Sequence, residues 1–378
     1  MSEAENQASN VLNQSDFEKI TQIVISNFQI EEAFLANGIP TYNLKQPQET
    51  KQAFLKLLKE LEPMNLVAIL RKQEGKIVLR IIRKPVAKPS NVLVNWALLF
   101  ATIATTFITG YMLSEGVTDS LIGGLTFTIA IMVILGLHEM GHKLTADKKG
   151  IDATPPYFIP GPPPIGNFLG IGTFGAVIFQ KSLPPNKDAL FDVGSSGPIM
   201  SFTLATIASI VGLLFSPLVF KSTQEPGMPL PLLFWLLIET MIVVPQTPPG
   251  KPYAYILPHP VAFAGWVGMF VTMLNLMPAA MLDGGHISRS LFGEKTRAVL
   301  TAFSVLSLFL ISPVMAIFVL FMAMSKHPGP LDDVSSLSRG RKLMFVGMAV
   351  IFVLSSFLHY FFFAMLDVLS YLLKFLGF

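Results

Sequence analysis

Cysteine is absent from the 378-residue chain, which excludes disulfide staples, thiolate metal sites and a cysteine nucleophile in any compartment. A metal held by this protein must rest on His, Asp or Glu, and histidine itself is scarce, with six residues. Charge is scarce too: 13% of residues are Asp, Glu, Lys or Arg and 52% are hydrophobic, against ~25% charged in soluble globular domains. That composition argues against an ordinary soluble enzyme. The net charge of +3 is too small to point to nucleic acid, and the basic residues flank apolar runs, where they set topology. The start, MSEAENQASN, is acidic and polar, so neither a signal peptide nor a transit peptide is expected.

The few charges are unevenly placed, since the first 88 residues hold 22 of the 51. Within them, Lys51 to Glu62 sets Phe54, Leu55, Leu57, Leu58 and Leu61 on one helical face. Leu66 to Leu70 and Lys76 to Ile82 read as strands around a turn at Gln73-Glu74-Gly75. No nucleotide loop or catalytic grouping is visible there, so residues 1–88 are expected to form a polar accessory unit that docks on or gates the rest. After Pro85 and Pro89, long charge-free runs begin: Leu93 to Ser114, Leu121 to Leu137, Val193 to Phe220, Val261 to Leu282, Ala298 to Ser325 and Leu343 to Leu366. Each is long enough, or nearly so, for a bilayer core of about 30 Å. The fold class expected is mainly α: a polytopic transmembrane helical bundle with short membrane-associated strands over 89–378, plus a small N-terminal α+β cytosolic domain.

Lys84 and Lys88 before the first run, and Lys143, Lys148 and Lys149 after the second, place those ends in the cytosol. Pro229 to Val244 is short and carries Glu239. One crossing by that segment would put His142 and Asp283 on opposite membrane faces, so if they share a metal it is re-entrant or interfacial. Ala298 to Ser325, interrupted by Pro313, reads as a helical hairpin, because the loop Lys326 to Lys342 is basic.

The second run ends in His138-Glu139-Met140-Gly141-His142, an HExxH sequence. On a helix, residues four apart share a face, so both histidines can meet one zinc ion with Glu139 beside its water. Zinc acidifies that water, and the Glu can take its proton and pass it to a leaving amine. Ionisable residues at the end of an apolar helix are costly without partners, which makes them functional candidates. For a third ligand, Asp152 is the only acid in the loop that follows. The other candidate is Asp283, 141 residues beyond His142, followed by Gly284 and Gly285, which permit close backbone approach. Read alone, Asp283 could equally cap the next helix.

Together these motifs resemble the site-2 protease family, the zinc intramembrane metalloproteases, which pair HExxH on one transmembrane helix with LDG on another. The resemblance covers roughly residues 121–295 and includes Gly197-Pro198 and Asn275-Leu276-Met277-Pro278. The stretches YFIPGPPPIGNFLGIGTFGAVIFQ and HPVAFAGWVGMFVTMLNLMPAAMLDGGH are similar to the cyanobacterial and chloroplast branch. It implies one zinc ion on His138, His142 and Asp283, Glu139 as general base, and a substrate or oxyanion role for Asn275, which a structural hydrogen bond would equally explain. It further implies an integral multi-pass protein of a bacterial plasma or thylakoid membrane, with its site toward the cytosolic side and a transmembrane protein as substrate. Gly172 to Gln180 resembles the family's membrane-associated strand, either a pairing edge for unwound substrate or a plug at the cavity mouth. His286 reads as interfacial or as a neighbour of the metal ligands, and His259, His327 and His359 as core or interface residues. Two other readings remain: a non-proteolytic chaperone or scaffold of the same fold, which would need a lost catalytic residue, and a metal transporter, which would need polar residues recurring along several helices.

Overall fold

Residues 14–85 fold around an apolar stripe on each of two helices. α1 (Gln14–Asn27) buries Ile20 and Val24, and α2 (Lys51–Leu61) buries Phe54, Leu57 and Leu61. Both pack on one face of an antiparallel sheet of β1 (Ile30–Ala36), β2 (Ile39–Leu44), β3 (Leu66–Gln73) and β4 (Lys76–Arg83), in the order β1-β2-β4-β3. α2, β3, β4 and their turn lie where hydrophobic periodicity placed them. α1 and the β1–β2 hairpin went unread, although Asn37-Gly38 at its tip is a strong short-range hairpin signal, both residues taking positive φ (52° and 75°). This computed structural model describes residues 14–85, 91–166, 170–221, 228–242, 253–279, 281–292, 294–311, 316–317, 319–321 and 329–357.

The sheet does not stop at this unit. Leu331 to Asp333 adds to β3 in parallel, with the Leu70 amide donating to Leu331 O (2.9 Å) and the Asp333 amide to Leu70 O (3.2 Å). The same segment bonds onward to the loop before the next long helix, through Leu331 N to Pro184 O and Asp332 N to Pro185 O. Leu331, 8% exposed, completes the core between α2 and β3. Leu331→Ala should cost about 2–5 kcal/mol locally, read as faster hydrogen exchange at the Leu70 amide. Unchanged exchange would mean that the added strand is not held by that core.

α3 (Val92–Met112) is 21 residues, about 31 Å at 1.5 Å per residue, enough for a bilayer core. Asn91 caps it by accepting from the amides of Leu93 and Val94. Its buried Thr102 and Thr106 hydroxyls donate one turn back to Leu98 O and Thr102 O, so they add no unmet polar group. α4 (Ser120–Lys148), capped by Asp119, runs 29 residues through the HExxH sequence. α5 (Lys187–Leu214), capped by Asn186, starts six residues before the apolar run and continues through Pro198. These three are the helices among the described residues that are long and apolar enough to span a membrane.

Elsewhere the apolar runs are not simple spans. Phe220, assigned to the third run, lies in β7 (Leu218–Lys221), which pairs with β8 (Tyr253–Ile256). α6 (Leu232–Met241), ten residues and about 15 Å, is half the length needed to cross, in keeping with the re-entrant reading. α7 (Pro260–Leu276) ends before the run does, because Met277 is extended and Pro278 cannot donate a helical amide. Asp283 therefore opens a separate short helix, α8 (Asp283–Leu291), instead of closing α7. α9 (Glu294–Ile311) and α10 (Arg339–Ser355) follow. The proposed hairpin bend at Pro313, and the end of the last run beyond residue 357, lie outside the described residues. α5 packs against α4, α7 and α8, and α3 against α4. β5 (Tyr157–Pro160) and β6 (Thr173–Val177) form a two-stranded sheet beside α3 and α4.

Candidate metal centre

His138 and His142 stand one turn apart on α4, and their Nε2 atoms are 3.1 Å apart. α8 brings the carboxylate of Asp283 to both, its Oδ2 lying 3.3 Å from His138 Nε2 and 3.2 Å from His142 Nε2. A tetrahedral zinc ion with bonds of about 2.0–2.1 Å holds its ligand atoms about 3.3 Å from one another. The spacing of this triangle is thus that of three ligands on one ion. The groups are buried, His138 being 3% and His142 5% exposed. Among the described residues Asp283 Oδ2 is buried and has no hydrogen-bond partner, the two imidazole nitrogens lying at 3.2 and 3.3 Å. Burying a carboxylate oxygen in that way is costly unless a cation meets it. Asp283 is not the cap: it is the first residue of α8, and Leu282 holds the cap position without a side-chain capping bond.

The hydrogen bonds behind the triangle aim it. His142 Nδ1 lies 2.7 Å from the backbone oxygen of Val193 on α5, which can only accept, so Nδ1 carries the proton and Nε2 turns its lone pair inward. Gly197, on the same face of α5, makes room for the His142 ring: a Cβ there would overlap Nε2. The Gly194 and Gly197 pair, read in the sequence as a weak packing signal, is the surface on which His142 and α8 rest. A Cβ at Gly194 would lie 3.0 Å from His286 Cβ and 3.1 Å from Asp283 O. Gly284 is equally constrained, since a Cβ would overlap Leu276 O.

Glu139 does not join the triangle. Its Oε1 lies 3.9 Å from His138 Nε2, and the amide of Ile178, just past β6, is bonded to its carboxylate. A buried carboxylate beside the ligand atoms but outside the ligand set is placed to exchange protons with whatever the site holds. Asn275, on the last turn of α7, puts its Nδ2 3.3 Å from His138 Nε2. His138, His142, Asp283, Glu139 and Asn275 thus lie together, whereas Asp152, the other candidate for a third ligand, is exposed and lies elsewhere, 3.6 Å from Lys84 Nζ. His286 sits beside α5 without entering the triangle, and His259 caps α7 by accepting from the Val261 amide. His327 and His359 lie outside the described residues.

Sequence reasoning missed four contributors: Val193 O, the Ile178 amide, Ser201 and Thr272. Two are backbone groups and carry no side-chain signal. Ser201 Oγ lies 3.0 Å from His138 Nδ1 and 2.8 Å from Thr272 Oγ1. A hydroxyl in an apolar helix is the faint trace such residues leave.

Comparison with known proteins agrees with this geometry. The chain is 29% identical over 232 residues to "Probable zinc metalloprotease EGY1, chloroplastic" of Oryza sativa subsp. japonica, covering 60% of this chain and 39% of that protein. It is 29% identical over 188 residues to "Probable zinc metalloprotease EGY2, chloroplastic" of Arabidopsis thaliana, covering 48% and 31%. A third relative, "Probable zinc metalloprotease EGY3, chloroplastic" of Oryza sativa subsp. indica, is 30% identical over 217 residues, covering 53% and 35%. The chain thus spans well under half the length of these curated relatives. No solved structure matches it. The model of peptidase family M50 matches residues 126–320, a stretch that takes in the HExxH helix, α5, α7 and Asp283. With just over half of its length matched and all three ligand positions inside the match, the chain belongs to peptidase family M50, the site-2 proteases.

Proposed function

We propose that this protein is a zinc-dependent intramembrane endopeptidase that hydrolyses a peptide bond within or beside a transmembrane segment of another membrane protein. The observation that carries this reading is the triangle of His138, His142 and Asp283, at 3.1–3.3 Å, with the Glu139 carboxylate beside it. Zinc bound there would supply Lewis-acid polarisation of the scissile carbonyl and acidify an attacking water. Glu139 accepts a proton from that water as its oxygen joins the carbonyl carbon. It then returns the proton to the amide nitrogen as the C–N bond breaks, leaving one carboxyl and one amine terminus. Asn275, reaching the same point, is suited to hold the substrate carbonyl or its developing negative charge.

A transmembrane helix shields its carbonyls by its own hydrogen bonds, so the substrate must unwind before cleavage. β6 supports the reading that it does so against this sheet. The strand belongs to a two-stranded sheet, its Phe174 is 71% exposed, and the chain just beyond it contacts Glu139. We place the chain in the membrane as a multi-pass protein of a bacterial plasma or thylakoid membrane, with the site on the cytosolic side, from the lysines that follow His142. Residues 1–88 then form a cytosolic accessory unit, tied to the N-terminus of α5 by Lys51 Nζ to Asp188 (2.9 Å) and to α10 by Lys51 Nζ to the Ser338 hydroxyl (2.9 Å). Among the described residues, one His/Asp/Glu group has metal-ligand spacing, which suits a single centre better than a transport path.

Metal removal tests the reading. In proteoliposomes holding the full chain and a single-span substrate, a zinc chelator should abolish cleavage and zinc ions restore it. Cleavage that survives complete loss of zinc would overturn the reading, as would zinc flux across the bilayer without any cleavage.

A further inference from the structure

The hydroxyls of Ser201 and Thr272 belong to two different helices, and both are buried, at 1% and 0% exposed. Most hydroxyls along α5 close back on their own helix: Thr203 donates to Ile199 O, Thr206 to Phe202 O and Ser209 to Ala205 O, at 2.7–2.8 Å. That is the usual way a lone hydroxyl is satisfied in an apolar helix. Ser201 departs from the pattern. Its contact within α5, to Pro198 O, is long at 3.3 Å, while its short contacts leave the helix: 2.8 Å to Thr272 Oγ1 on α7 and 3.0 Å to His138 Nδ1 on α4.

Counting protons gives this chain a direction. Thr272 has one hydroxyl proton and donates it to Gly268 O at 2.7 Å, a carbonyl that can only accept. With that proton on Gly268 O, we assign Thr272 Oγ1 as the acceptor toward Ser201, a contact in which either hydroxyl has a proton to give. Ser201 spends its single proton on Thr272 and has only lone pairs left for His138. With Ser201 accepting, Nδ1 of His138 is the donor, and Nε2, on the far side of the ring, turns its lone pair toward Asp283 and His142; the backbone of Gly197, which also bonds to His138, acts on the ring beside Ser201. The same tautomer is imposed on His142 by Val193 O at 2.7 Å.

We propose that Ser201 and Thr272 are positioning residues for the metal centre: a directional hydroxyl relay, running from His138 through α5 to a backbone carbonyl of α7, that fixes the tautomer and ring orientation of His138. The proposal rests on the reading of His138, His142 and Asp283 as a metal site and adds to it two residues that touch neither metal nor substrate. Removing the outer hydrogen-bond partner of a ligating histidine typically lowers metal affinity by ~10–100-fold.

The test is zinc competition against a chromophoric chelator, on the purified full chain in detergent, for wild type and three variants. Ser201→Ala should weaken zinc binding by ~10–100-fold while the zinc-free chain unfolds at the temperature of wild type. Thr272→Val keeps the side-chain volume, so its packing is retained; it should weaken zinc binding in the same direction, by less, because Ser201 can turn its proton to Pro198 O. Thr272→Ser keeps the hydroxyl and should bind zinc like wild type, a rescue that a purely packing role would not give. Wild-type affinity in both Ser201→Ala and Thr272→Val would overturn the relay while leaving the metal site standing. Absence of zinc binding in wild type itself would overturn the metal site and the relay together.

Discussion

Glu139→Gln is expected to slow cleavage of a single-span substrate by ~10²–10⁴-fold while the protein keeps its zinc. The geometry separates the two effects. The proposed ligand atoms belong to His138, His142 and Asp283, and Glu139 stands outside them with Oε1 3.9 Å from His138 Nε2. A glutamine fills the same volume and can still accept the Ile178 amide bond, but it cannot take up a proton. The residue is 6% exposed, so bulk water cannot easily supply a substitute base. The check is single-turnover cleavage in proteoliposomes together with the zinc content of the same preparation. Wild-type cleavage by a zinc-replete Glu139→Gln chain would remove Glu139 from the mechanism. Loss of zinc together with activity would mean instead that Glu139 is a ligand.

Gly197→Ala is expected to weaken zinc binding by more than ~100-fold, beyond the loss of a single outer hydrogen bond, and to abolish cleavage with it. The added methyl would overlap the very nitrogen that His142 offers to the metal. The ring cannot simply tilt away, since its Nδ1 is held 2.7 Å from Val193 O on the same helix. Relief requires α5 to retreat from α4, which would also pull Ser201 from His138. Gly347→Ala is the matched control: it lies in α10, a Cβ there meets nothing within 4 Å, and zinc binding should not change. A Gly197→Ala chain that binds zinc like wild type would show that α5 does not confine His142.

Some of this site was legible because its logic is local. Two histidines four residues apart meet on any helix, and an apolar run that ends in three ionisable groups announces its own cost. Asp283 was legible only as a residue type with a motif around it. Its distance from His142 is set by how α4, α5, α7 and α8 pack; the end of α7 at Leu276 is marked in the sequence by Pro278, although the charge-free run continues past it. The accessory unit divides in the same way. α2, β3 and β4 follow from periodicity, whereas the strand supplied by Leu331 to Asp333 comes from some 260 residues away, and edge-strand pairing leaves no local pattern.

By itself, the sequence determined the chemistry: no thiolates, few charges, long apolar helices, an HExxH pair, a distant Asp and a neighbouring Asn. Tertiary structure decided which atoms face which. That Val193 O and Ser201 set the histidine tautomers, that Gly197 yields its space to His142, and that Asp283 opens a helix instead of closing one are matters of ångströms between elements far apart in the chain. Hydrogen-bond direction and steric exclusion depend on those distances, and residue order does not contain them.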